Sequence, residues 1–347
     1  MSDVTKVLLF SGAGLSYPLG LPMTDGFKDI IESGDNRILN VLRSHLGSKF
    51  GDIEAILSSI EELNSNNNLI FNYISAMSPM DSHFGQVKNS IDRLRDSSKL
   101  YTSNLKKSVH EKLRTLDISQ CESLYFNILK EIKTVIPKSA ISFFTANYDL
   151  TFEDSIDNDD TIEKLKTYLH INEIEYGFSQ RSIFDPTREY NWNPSILEYK
   201  KIHGSLGWIT DTRGRITKSH AANTPDNPDS VPILYPGFKG SPQDEPFLSL
   251  HRQFLDRLLS ADYTIFMGFA FRDPYINSLV NMALEINNNL KIFCYNPSAI
   301  DQLPSESHIP QLIKNKRFRH IKRKVEVIEN PLKLSTEIKP AAVLEKI

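Results

Sequence analysis

Apolar residues run unbroken from Val7 to Phe10 and stop at Ser11-Gly-Ala-Gly14, the pattern of a strand buried on both faces that ends in a tight glycine turn. This predicts the first strand of a parallel sheet. Over 35–137 the apolar positions change to helical spacing: Ile53, Ile56, Leu57, Ile60 and Leu63 share one face. Ser119 followed by Glu122 reads as a capping box ahead of Leu124, Ile128, Ile132 and Val135, and the polar run Asn64 to Asn68 as a loop. Strand character returns at Ala140–Phe144, Tyr199–Ile202, Tyr263–Met267 and Lys291–Tyr295, each run ending in polar residues. Between them, Trp208 to Ser219 reads as a hairpin around Gly214, and Phe247 to Leu259 as an amphipathic helix. Asp273 and Pro274 have the residue types of an N-cap and a first helical position ahead of Ile276, Leu279, Val280 and Ala283. Strand, polar loop and helix recur five times. This is the pattern of an α/β, Rossmann-like doubly wound parallel sheet with a helical insertion, whose cleft lies beyond the carboxyl ends of its strands.

Composition narrows the class. The chain has 347 residues, 40 Lys plus Arg against 43 Asp plus Glu, a net charge of -3 and 40% hydrophobic residues, which excludes disorder and allows a large core. No apolar run approaches the roughly 18–20 residues of a membrane span, and no signal-peptide layout precedes Lys6, so a soluble cytoplasmic protein with no membrane contact is expected. The near-neutral balance gives no general attraction to nucleic acid. One local basic run, Lys314, Lys316, Arg317, Arg319, Lys322, Arg323 and Lys324, reads as a solvated face beside a last strand at Val325–Ile328, and direct nucleic-acid binding is not expected. Cys121 and Cys294 stand far apart in unlike contexts, which argues against a disulfide framework and a four-cysteine zinc site.

Candidate chemistry gathers at the strand ends. After the first strand comes Gly12-Ala13-Gly14-Leu-Ser16, with Gly20, Pro22 and Phe27 following. Paired glycines let a backbone approach a pyrophosphate closely, and N–H groups at a helix start suit its charge. The third glycine of the common dinucleotide fingerprint would fall at Tyr17, so that motif fails. The other polar ends are Thr145-Ala-Asn147-Tyr-Asp149, His203-Gly204 and Gly268-Phe269-Ala-Phe-Arg-Asp273. Taken alone, Asn147 and Asp149 could satisfy turn amides, His203 could be a loop histidine, and Asp273 reads as a helix cap. The aromatics Phe143, Phe144, Phe266 and Phe271 read as sheet packing.

Taken together and in order, these four segments resemble the sirtuin family over roughly residues 7–297. The resemblance implies a Rossmann-like NAD-binding domain over 1–34 and 138–331, a helical insertion subdomain over 35–137 and a C-terminal tail over 332–347. By position it assigns Gly12, Ala13, Gly14 and Ser16 to the phosphates and ribose, with Pro22, Phe27 and Thr145 completing the cofactor site. Asn147 and Asp149 would face the nicotinamide and its ribose, His203, followed by Gly204, would be the catalytic histidine, and Gly268, Phe269 and Asn296 would lie near the adenosine half. The departures matter too: Ala146 replaces the family's glutamine, and residues 205–268 contain no cysteine for the zinc ribbon of the protein deacylases. No metal site is therefore expected.

With these losses and the helical insertion, the chain is similar to the sirtuin-like NAD glycohydrolases of bacterial anti-phage defence. That resemblance implies NAD as substrate, nicotinamide and ADP-ribose as products, and abortive infection by NAD depletion as the role. It further implies a homo-oligomer or a partner, either a helicase-like ATPase or an Argonaute-type protein. ADP-ribosyl transfer at the same site, or a non-catalytic NAD or ADP-ribose sensing module, are the other readings. Retention of both Asn147 and His203 favours an enzyme, since a pure binder needs the phosphate loop but not that pair.

Overall fold

The computed structural model describes residues 4–338 except 35, 65–68, 115–116, 157–158, 180–181, 189–190, 219–229 and 235–241. Among the described residues the strands are β1 (Thr5–Ser11), β2 (Ser139–Thr145), β3 (Glu173–Glu175), β4 (Ile196–Lys201), β5 (Trp208–Thr210), β6 (Ile216–Lys218), β7 (Tyr263–Met267), β8 (Lys291–Asn296) and β9 (Phe318–Lys322). Seven of them form one sheet in the order β3-β4-β2-β1-β7-β8-β9, with every neighbouring pair parallel. Strands β5 and β6 pair separately as an antiparallel hairpin, with Gly214 at φ 74° in its turn. The hairpin expected around Gly214 is therefore present, although Ser219 lies outside the described residues. This is a Rossmann-like doubly wound sheet. Chain order runs outward through β2 and β4 on one side of β1 and through β7, β8 and β9 on the other, so the topological switch lies between β1 and β7.

The unbroken apolar run in β1 has the expected cause. Val7 and Leu9 pack with Ile141 and Phe143 against the helix Ile118–Val135 on one face, while Leu8 and Phe10 pack with Phe254 and Phe266 against the helices Phe247–Ser260 and Pro274–Ile286 on the other. Phe143, Phe144, Phe266 and Phe271 are fully buried here, as packing aromatics should be. A third core, separate from both sheet faces, is built by the helices Asn36–Leu46, Ile53–Asn64 and Ser82–Lys112 through Leu39, Leu42, Ile56, Ile60 and Leu105. Of the expected face of the second helix, Ile53, Ile56, Leu57 and Ile60 are buried. Asn64 ends that helix, and the rest of the loop expected there lies outside the described residues. Although it falls within 35–137, the helix Ile118–Val135 belongs to the packing of the sheet.

Two local expectations are corrected. Asp117, not Ser119, caps the helix that begins at Ile118: its carboxylate accepts from Ser119 N at 3.1 Å and Gln120 N at 3.4 Å, so the capping carboxylate sits one residue before the helix. The last strand is Phe318–Lys322, inside the basic run, and Val325–Ile328 is not a strand. Phe318 alone supplies its buried anchor, while exposed Arg319 and Lys322 guard an edge strand that a hydrophobicity scan passes over. Arg317, at the start of this strand, donates to the carbonyl of Asn287 at 2.5 Å and to that of Leu284, closing the C-terminus of the helix Pro274–Ile286. The edge strand β3 escapes for a similar reason, being three residues with two glutamates.

The C-terminal segment docks on the body. Leu332 and Leu334 are fully buried, and their N–H groups both donate to the Glu131 carboxylate, the first at 2.8 Å. Arg319 reaches Glu337 at 3.2 Å. The rest of the tail, 339–347, lies outside the described residues. Among the described residues no helix is long and apolar enough to cross a membrane.

Candidate functional site

At the carboxyl ends of β1 and β7 the two glycine loops lie against each other. Gly12 N donates to Met267 O and Gly14 N to Gly268 O, both at 3.0 Å. A Cβ on Gly14 would stand 2.8 Å from Gly268 Cα, and one on Gly268 would stand 2.3 Å from Leu15 N. Gly268 also has φ 62°, a left-handed conformation that a side chain strains. The glycines thus serve a contact that the sequence pattern does not reveal: loop against loop at the switch point, with the N–H groups of Gly12 and Gly14 spent on it. What this leaves for a ligand is a wall without side chains.

That wall bounds a cavity of about 1060 Å³, at the upper end of the range for ligand clefts. Of the residues that the sequence singles out, Gly12, Ala13, Gly14, Ser16, Pro22 and Phe27 line it from the β1 side. Asn147, Asp149 and His203 line it from the middle, and Gly268, Phe269 and Asn296 from the β7–β8 side. Thr145 and Gly204 are not on the wall. Thr145 is buried behind it, where its hydroxyl accepts from Ser11 Oγ at 2.7 Å and Asn147 N at 3.0 Å. Gly204, at φ 97°, lets the backbone pair with Ile233, since a Cβ there would meet Pro232 O at 2.2 Å.

Hydrogen bonds give each polar group a defined direction. Asn147 Nδ2 donates to Gly12 O at 3.1 Å and to Ser16 Oγ at 3.0 Å, and Ser16 Oγ donates onward to Asp149 Oδ2 at 2.8 Å. Gly12 O can only accept, which fixes the amide orientation and turns Asn147 Oδ1, an acceptor, away from these partners. Asp149 Oδ1 accepts from Thr151 N at 3.1 Å and Thr151 Oγ1 at 2.6 Å, so both of its oxygens are engaged within the protein. Lys201 donates to the Asp149 carbonyl and reaches Glu153 at 3.0 Å. The chain Thr151–Asp149–Ser16–Asn147 ties the β2 loop to the glycine loop.

The histidine has an acidic partner. His203 Nε2 lies 3.2 Å from Asp273 Oδ2, and both side chains are buried. Asp273 is also the helix cap expected from the sequence, since Oδ1 accepts from Tyr275 N at 2.8 Å and Ile276 N at 3.0 Å. Burial pushes the Asp273 carboxyl up, but the hydrogen bond and charge of His203, with the Ile276 N–H, hold it below the usual range. The dual role was hidden because a cap needs only its own helix to explain it. Sequence reasoning also missed His251, whose ring stacks on that of His203 at 5.6 Å and whose Nδ1 lies 2.8 Å from Phe247 O.

Burial, then the neighbouring His203, lowers His251 to about 4. Its folded value lies below the unfolded one, so the stability it contributes is present above about pH 6.5 and is lost as pH falls towards 4. Chemical denaturation of the parent and His251→Gln at pH 7 and pH 4 should show the parent losing about 3 kcal/mol more than the variant on acidification. Equal losses would contradict the assignment.

Charged residues of the helical layer complete the cleft. Glu54, at the start of the helix Ile53–Asn64, lines the cavity and accepts from Tyr148 Oη at 2.8 Å. Asp52 lies 3.2 Å from Arg272, the residue next to Asp273. Neither could be found from a motif, because helical periodicity marks only the buried face. Among the described residues, no group of three or more His, Cys, Asp or Glu side chains is placed to hold a metal ion.

Comparisons place the chain in a family. A search of curated proteins finds no match. Among solved structures, the fold is similar to a Sir2 homologue–NAD complex, with 13% identity over 97% of this chain and 90% of that one, TM-score 0.47. It is also similar to a mutant Sir2 homologue–ADP-ribose complex, with 11% identity over 99% and 95%, TM-score 0.48. The assignment does not rest on these distant likenesses but on residues 141–321, more than half of the chain, which match the family model of the SIR2-like domain. That stretch carries β2, β4 and β7 to β9 with Asn147, His203 and Asp273 at the strand ends, and the chain belongs to the SIR2-like domain family.

Proposed function

We propose that the cleft binds NAD and hydrolyses its nicotinamide–ribose bond, releasing nicotinamide and ADP-ribose. The observation that carries this reading is the convergence of a directed amide, Asn147, and an acid-paired imidazole, His203–Asp273, on one cavity beside a wall bare of side chains. The family expectation agrees with it. When the bond from ribose C1′ to the pyridinium nitrogen breaks, its electron pair stays with nicotinamide, which leaves neutral, and the ribose passes through an oxocarbenium-like state. Such a reaction needs no strong acid. It needs the ribose held, the cation stabilised and a water placed. Asn147 Oδ1 accepts a hydrogen bond from the water or a ribose hydroxyl. His203, with Nε2 towards Asp273, presents Nδ1 to a hydroxyl, and Asp273 stabilises the imidazolium when it forms. Asp149 acts through Ser16, positioning Asn147, and adds negative charge beneath the developing cation.

The glycine loop, bare of side chains, lets the phosphates approach its backbone closely, and Phe269 and Asn296 take the adenosine half. The fold alone does not fix the chemistry; these groups carry it. In the cell this reading makes the chain an NAD-depleting effector of anti-phage defence. It is controlled by self-assembly or by a partner ATPase or Argonaute-type protein, since an unregulated NADase would exhaust its own host. The test is incubation of the purified protein with NAD, alone and across protein concentration, with products separated by chromatography. Equal amounts of nicotinamide and ADP-ribose are expected, with specific turnover rising with protein concentration. NAD bound but recovered intact under all conditions would overturn the enzyme reading in favour of a sensing module.

A further inference from the structure

The helical layer reaches the cleft at the start of the helix Ile53–Asn64, and it touches both catalytic loops there. Asp52 Oδ1 caps that helix, accepting from Glu54 N at 2.9 Å, while Oδ2 pairs with Arg272, whose neighbour Asp273 holds His203. One residue into the helix, Glu54 Oε1 accepts from the hydroxyl of Tyr148, which stands between Asn147 and Asp149 in the β2 loop. Glu54 lines the same cavity as those residues, and with Oε1 held by Tyr148 its other oxygen is left for a ligand. His203, by contrast, turns Nε2 towards Asp273, 3.2 Å away. Resting on the NAD-hydrolysis reading, we propose that Glu54 is a further catalytic residue, the carboxylate that takes the proton from the attacking water. In that step the water oxygen bonds to ribose C1′, the C–N bond breaks with its electrons on nicotinamide, and the water proton passes to Glu54. His203 is then free to hold a ribose hydroxyl.

The surroundings tune this carboxyl for the task. Burial raises it to about 7 from 4.5 and the Asp52 carboxylate pushes in the same direction, while the charge of His203, the Tyr148 hydrogen bond and Arg272 pull it down. A proton acceptor works best when its pKa lies near the working pH. The base must be deprotonated, so turnover should rise as pH increases through about 7.

The experiment is nicotinamide release from NAD between pH 5.5 and 8.5 by the parent, Glu54→Gln and Tyr148→Phe, with NAD affinity measured by calorimetry. Glutamine keeps the shape and the acceptor for Tyr148, so Glu54→Gln is expected to bind NAD within about threefold of the parent. Its turnover should fall about a hundredfold, with the rise through neutral pH abolished. Tyr148→Phe removes a hydrogen bond that lowers the carboxyl's pKa, so its profile should move to higher pH. An active parent together with a Glu54→Gln variant of equal turnover and unchanged pH profile would overturn the role of Glu54 and leave NAD hydrolysis standing. A parent that binds but never cleaves NAD would overturn both.

Discussion

Asn147→Ala and His203→Ala should each lower NAD turnover at least about a hundredfold, the scale of losing an orienting or proton-transfer group. The two losses arise differently. Removing the amide takes away Oδ1 and also two donated hydrogen bonds, leaving Gly12 O and Ser16 Oγ short of a partner, so the glycine loop loses its tie to β2. Removing the imidazole leaves the Asp273 carboxylate buried without its histidine, although its helix cap survives. Both side chains are buried rather than standing free in a polar cleft, so each variant should also lose about 1–3 kcal/mol of stability, the cost of unpaired buried groups. Steady-state kinetics beside denaturation curves separate the two effects. Folded variants that bind NAD and cleave it at the parent rate would remove both residues from the mechanism.

Gly268→Ala is expected to abolish activity by a route that touches no catalytic atom. The added Cβ meets Leu15 N and the Gly14 carbonyl carbon, which belong to the backbone and cannot rotate away, at a residue already at φ 62°. Left-handed strain at a non-glycine residue costs on the order of 1–3 kcal/mol. Relieving the clash must also push the β1 and β7 loops apart, opening the wall that faces the ligand. The readouts are NAD affinity by calorimetry and thermal stability: binding should be lost while a cooperative, lowered melting transition remains. Gly214→Ala is the control, because φ 74° imposes similar strain there but a Cβ would meet nothing within 4 Å. Parent-like binding by Gly268→Ala would show that the contact between the loops does not shape the site.

Legibility in the sequence followed the physics of burial. Strands β1, β2, β7 and β8 are covered on both faces, so each writes an apolar run ending in polar residues, and the polar ends expose the site. The edge strands β3 and β9 have little to bury, and charges such as Glu173 and Arg319 mask them. Asn147 and His203 could be found because they follow such runs. The partners of these residues could not. Asp273 looked complete as a cap, and Glu54 lies on a helix whose periodicity reports Ile53, Ile56 and Ile60 but says nothing about where the opposite edge points. The two glycine loops are more than 250 residues apart in sequence and meet only because β1 and β7 are adjacent, a pairing that depends on strand order.

The most direct measurement of the central claim is NAD cleavage by the purified protein in water enriched in oxygen-18, with the products weighed by mass spectrometry. Hydrolysis at ribose C1′ predicts one heavy oxygen per ADP-ribose, matched by one equivalent of free nicotinamide and absent from an Asn147→Ala reaction. Nicotinamide released without labelled ADP-ribose, with the ADP-ribosyl group instead on protein or nucleic acid, would contradict hydrolysis. Intact NAD after prolonged incubation at any protein concentration would contradict the account as a whole.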